Sequence, residues 1–116
     1  MLCNLTPHPL VLRGADGTDT TVPPSGNVAR VSSTPGSLTE VPGVPVPVAS
    51  ATVFGAVTDL PDPQDGVFFL VSGMVGAALV GRGRTDVLMP GTGPNDAAVR
   101  NDKGHIIAVT RLIAVG

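Results

Sequence analysis

Five consecutive apolar residues, Val67-Phe68-Phe69-Leu70-Val71, constrain this chain more than any other feature. An unbroken apolar run of strand length marks a strand covered on both faces. It demands a layered domain, with material packed on each side of a sheet. Ser72-Gly73 ends the run, and Met74 to Val80 follows as a short helix. Ser72 is a good N-cap and Gly81 a good C-terminal stop, so the spacing predicts one helix near 73–80. That helix is apolar all round, so packing rather than propensity must hold it. Asp86-Val87-Leu88-Met89-Pro90 reads as a further strand. Strand, short helix and strand make a minimal crossover, the one βαβ-like piece in the chain.

Elsewhere the chain is heavily punctuated. Its 15 glycines and 12 prolines supply 27 of 116 residues, about twice the ordinary ~12% share. Short elements and many turns follow. Leu5–Arg13 reads as an extended entry and a strand, because Pro7 and Pro9 forbid a helix around His8. Gly14-Ala15-Asp16-Gly17-Thr18 is a hairpin turn leading to Thr20–Val22. Asn27–Ser32 alternates like a half-buried strand, and Ala51–Thr58 is strand-like. Val41–Val48, with prolines every two or three residues, is either an edge strand or a polyproline-like loop. Asn101-Asp102-Lys103-Gly104 joins Ala97–Arg100 to a long final strand, His105–Val115. The expected fold is therefore α+β and mostly β, with about six to eight short strands and one short buried helix. Residues 1–116 form a single compact domain in this reading. Phe68, Leu70, Val75, Leu79, Val87, Ile107 and Val109 are the expected core.

Composition narrows the functional classes. A hydrophobic share of 42% against 14% charged excludes a solvated disordered chain. A net charge of −2 with scattered basic residues argues against nucleic acid as a partner. Cys3 is the single cysteine, so no disulfide framework is available. His8 and His105 stand far apart with no paired Cys or His–Glu spacing, so neither metal nor cofactor is expected. No signal-peptide pattern opens the chain, and the longest apolar stretch is shorter than the ~18 residues of a spanning helix. These features predict a cytoplasmic protein that does not engage a membrane.

Four polar clusters could carry chemistry. In an extended Asn4-x-Thr6-x-His8 segment an amide, a hydroxyl and an imidazole share one face. The structural alternative is that Asn4 and Thr6 satisfy backbone groups. Ser72-Gly73 could seat an anion at a helix start or simply cap the helix. Arg82-Gly83-Arg84-Thr85-Asp86 offers guanidinium forks for a phosphate or carboxylate; the alternative is a solvated helix exit. Thr92-Gly93-Pro94-Asn95-Asp96 is rich in hydrogen-bonding groups but serves equally as a turn. Asn4, Thr6, His8, Ser72 and Arg84 are expected to converge, with Gly73, Arg82 and Asp86 beside them as ligand-binding residues. A dimer partner is the other possible source of the arginine. No catalytic set is legible.

Several segments together resemble a family of short phage, prophage and bacterial proteins that open with the same pentapeptide. They are Asn4-Leu5-Thr6-Pro7-His8, Pro24-Ser25-Gly26 with Val28-Ala29-Arg30-Val31, Leu60-Pro61 with Pro63-Gln64-Asp65-Gly66-Val67, Leu70-Val71-Ser72-Gly73-Met74-Val75, Arg84-Thr85-Asp86-Val87, and Val99-Arg100-Asn101-Asp102 with Gly104. The resemblance spans nearly the whole chain and brings no established activity with it. By analogy of size and setting it points to proteins that sequester nucleotide-derived signals, acting in a host cytoplasm. The leading expectation is thus a non-catalytic module binding a small anionic, nucleotide-derived ligand, with a homo-oligomer as a further option. One alternative is a small hydrolase or lyase using His8 as acid–base. Another is a virion-structural or protein-inhibitor module.

Overall fold

The computed structural model of the chain describes residues 1–34, 36–51 and 53–116. Its elements run β1 (Leu2–Asn4), β2 (Leu10–Arg13), β3 (Asp19–Val22), β4 (Arg30–Thr34), β5 (Leu38–Thr39), β6 (Val48–Ala49), β7 (Val53–Thr58), β8 (Phe68–Leu70), α1 (Gly73–Leu79), β9 (Val87–Pro90), β10 (Val99–Arg100), β11 (Ile106–Ala108) and β12 (Leu112–Ala114). The fold is α+β and mostly strand, as the sequence predicts. The strands are shorter and more numerous than expected, because glycines, prolines and bulges interrupt the predicted runs.

The central sheet has the order β1-β8-β9-β12. β1, β8 and β9 are parallel, and β12 is antiparallel to β9. The apolar run thus supplies an interior strand, and α1 is the crossover from β8 to β9. Ser72 caps α1 by accepting from Val75 N, and Gly81 turns the chain away at φ +74°. Cys3, Leu5, Phe69, Val71, Val87, Met89 and Val115 join Val75 and Leu79 of α1 in the main core. Gly76 lets the helix lie close to the sheet, since a Cβ there would come within 3.1 Å of Met89 Cβ.

The opposite face of the sheet carries Asn4 and Leu70, paired across β1 and β8 and both buried. The β2–β3 hairpin covers it, shown by the Asn4 side chain reaching the Val22 carbonyl. Val109 ties this hairpin to the C-terminal region by exchanging backbone hydrogen bonds with Val11 and Arg13. Leu70, Val75, Leu79, Val87 and Val109 are buried as expected, but Phe68 and Ile107 are exposed. Phe68 shares Leu70's face but lies at the start of β8, where it is 45% exposed. Ile107 is exposed because the predicted long final strand splits. β11 pairs with β10 outside the main sheet, and only β12 enters it.

A two-stranded ribbon leaves the body between β3 and β8. β4 and β7 pair antiparallel, with Ser33 opposite Phe54. The same register resumes in β5–β6, where Leu38 faces Ala49. Val41–Val44 closes a turn at the tip, with Gly43 at φ +83°. Most of the Val-Pro stretch is therefore loop, and only Val48 enters a ladder. The base of the ribbon, through Val31 and Val57, packs against the main core. Beyond it, residues 37–51 are exposed throughout. The radius of gyration is 16.9 Å, against about 13 Å for a compact chain of this length. The extents of 54 × 38 × 23 Å express the same elongation.

Candidate functional site

The Asn4-x-Thr6-x-His8 cluster folds inward. Asn4 is 1% exposed, and its amide group is fully engaged. Nδ2 donates to the His8 carbonyl at 2.9 Å and the Val22 carbonyl at 3.0 Å. Oδ1 accepts from Thr6 N at 2.9 Å and from the Thr6 hydroxyl at 2.6 Å. Asn4 has two donors and an acceptor oxygen with two lone pairs, so no group is left to offer a ligand. The backbone alongside is held too: Leu5 N donates to Leu70 O, and Ser25 N to Asn4 O. His8 contributes only its carbonyl to this knot, and its side chain is exposed. Pro7 and Pro9 set the extended path that brings the His8 carbonyl back over Asn4.

Ser72-Gly73 lies at the carboxyl end of β8, beside the same edge of the sheet. The Ser72 hydroxyl is occupied by its capping bond from Val75 N at 3.3 Å. Gly73 is exposed, and space above it is open. The start of α1 therefore shows ordinary capping.

Arg84 and Asp86 sit at the other end of the sheet. Phe69 N donates to Asp86 O, which places Asp86 beside Phe68, about 13 Å of strand rise below Ser72. The five residues expected to converge are thus divided between opposite ends of β8 and β9, because a parallel strand must start where its predecessor started. Arg84 Nε and Nη2 each donate to one Asp86 carboxylate oxygen at 2.9 Å, and Nη2 also donates to the Pro61 carbonyl. The pair is largely shielded, with side chains 21% and 15% exposed. The forked bond from Arg84 holds the Asp86 carboxyl below its ordinary range and raises the guanidinium. The pair pins the loop carrying Pro61 to the start of β9.

A depressed carboxyl pKa means stability that is present above the unfolded value, ~3.9, and is lost as pH falls through the lower folded value. Asp86→Asn is expected to cost about 1–2 kcal/mol at neutral pH, allowing for partial exposure. Urea titrations at stepped pH should show the variant and the parent converging in acid. A constant gap down to the most acidic point would contradict this role.

Arg82 and Arg84 do share one concavity, of about 320 Å³, with Gly55–Val57, Leu60, Ala78 and Leu79. Arg82 is exposed and has no carboxylate partner among the described residues. A separate groove of about 370 Å³, not expected from the sequence, runs between the β2–β3 hairpin and Val109–Leu112. Among the described residues, no group of three His, Cys, Asp or Glu side chains could hold a metal ion. No helix among them is long and apolar enough to cross a membrane. The Thr92–Asp96 loop closes on itself, with Gly93 N donating to the Asp96 carboxylate at 2.8 Å. Comparison with family models, curated proteins and solved structures returns no match to this chain.

The feature that sequence reading missed is the ribbon. Asn27–Ser32 alternates like a half-buried strand, yet the ribbon it leads into is exposed from Ser37 to Ala51.

Proposed function

We propose that the protein is a non-catalytic interaction module that docks on another protein surface through its β4–β7 ribbon. The observation that carries this reading is the ribbon's exposed apolar surface. Leu38 is 73% exposed and Val46 62%, and Val41, Val44, Val48 and Phe54 are each exposed by 38–41%. Contiguous apolar surface of this kind marks an interaction site in a chain that must stay soluble. Between Arg30 and Asp59 the only charged residue is Glu40. Such a neutral arm suits an apolar protein surface and offers nothing to phosphates. Its prolines remove backbone donors, which favours docking through side chains over open-ended strand addition.

The small-anion reading requires Asn4, Thr6, Ser72 and Arg84 to present polar groups outward. Those groups are held within the chain, so the interaction reading has the stronger support. A photo-crosslinking residue at position 46 tests it in cells that make the protein. Adducts to a protein are expected there and not from position 102, at the exposed β10–β11 turn. Equal yields at both positions, or none at either, would overturn the reading.

A further inference from the structure

Resting on that reading, we infer that the ribbon's partner is a second copy of this chain, and that two protomers exchange ribbons, each covering the other's α1. Three observations converge on this. The first is area. The protomer exposes 7537 Å², whereas a compact chain of 11.6 kDa exposes about 5,800 Å². The excess, about 1,700 Å² per protomer, falls within the roughly 1,000–2,500 Å² that each subunit loses in an obligate dimer.

The second observation is a second bare apolar surface on the same chain. α1 has no acidic residue in its first turn and no basic residue in its last. Its inner side, Val75, Gly76 and Leu79, packs on the sheet. Met74 and Ala77 lie one turn apart on the outer side, and Val80 follows at the same spacing. All three are exposed, Met74 by 55% and Val80 by 60%. A helix apolar on all sides belongs inside a structure. Here only half of it is covered.

The third observation is placement. α1 packs against β4 and β7, the base of the ribbon. α1 and the base of the ribbon therefore lie side by side in one layer. Ten residues of sequence separate Val31 from the turn at Val41, a reach of up to roughly 33 Å when fully extended. That is enough to cross a neighbouring body. A two-fold axis through this layer makes one contact twice, ribbon to helix and helix to ribbon, and so closes the assembly. The net charge of −2 sets little repulsion against it.

Sedimentation velocity of the full chain tests this. The parent is expected at twice the protomer mass over a wide concentration range. A ribbon variant, Leu38→Asp with Val46→Asp, and a helix variant, Met74→Asp with Val80→Asp, should each run as monomers. All four positions are exposed, so circular dichroism should report both variants folded. Mixed together, the two variants should re-form a dimer, because one ribbon and one helix face remain intact and complementary. A helix variant that stays dimeric would show ribbon-to-ribbon pairing and overturn the exchange. A monomeric parent would overturn the second copy as partner. If position 46 then crosslinks a different protein, the interaction reading stands without it, and if it crosslinks nothing, both fall.

Discussion

Asn4→Ala is expected to lower the unfolding free energy by roughly 2–5 kcal/mol, although it removes neither a charge nor a large side chain. The substitution strips the Val22 carbonyl and Thr6 N of the Asn4 side chain, at a point where Asn4 itself is 1% exposed, while the His8 carbonyl keeps only the Thr6 hydroxyl. Buried backbone groups left without partners cost far more than a hydrogen bond contributes when it is made. Asn4→Asp is the sharper variant, because it keeps the shape and replaces the donor. A carboxylate would face two carbonyl oxygens, so its pKa must rise. The protonated form can donate to one of them, and stability should therefore improve as pH falls. His8→Ala is the control: only its carbonyl takes part, so a change within about 0.5 kcal/mol is expected. Denaturant unfolding of the three variants checks the set. An Asn4→Asp protein as stable as the parent at neutral pH would show that the knot does not carry this weight.

Leu70→Ala is the other large effect, at roughly 2–5 kcal/mol. Leu70 is 0% exposed and lies mid-sheet, between Asn4 of β1 and Leu88 of β9. Its side chain is fully buried, so truncation leaves a cavity that the surrounding core must collapse to fill. Phe68→Ala, one repeat along the same strand, should cost much less because Phe68 is 45% exposed. Chemical unfolding of the two variants side by side gives the contrast. Equal losses would show that Phe68 is as fully packed as Leu70.

What could be read in advance was local. The buried strand, the Ser72 cap, the Gly81 stop and the Asp16-Gly17 hairpin are all set by residues within a few positions of one another. The short strand Leu2–Asn4 and its parallel pairing with the apolar run were not legible, because the partner lies more than sixty residues away. Failures came where the deciding partner was distant. Alternation in 27–32 shows that one face is apolar, and 51–58 reads as strand, but neither shows that the ribbon they build runs past the core. Nothing within His105–Val115 announces that the strand changes sheets at Val109–Arg111. At the candidate site, the structural alternative for Asn4 and Thr6 is the one the hydrogen bonds display. The Arg84–Asp86 pair did carry a readable signal. Residues two apart in extended chain share a face, and a guanidinium two positions from a carboxylate can fork onto it.

The order of strands across the central sheet has a consequence for biosynthesis. Its four members come from residues 2–4, 68–70, 87–90 and 112–114. β1 therefore waits for a neighbour made more than sixty residues later, and β9 waits more than twenty for β12. Pairing at such separation carries a large loop-closure cost and folds slowly. The aliphatic ribbon emerges long before the sheet that anchors it can form. A nascent chain is thus obliged to display its stickiest segment while still tethered, and two chains translated side by side on one message would meet through that segment first.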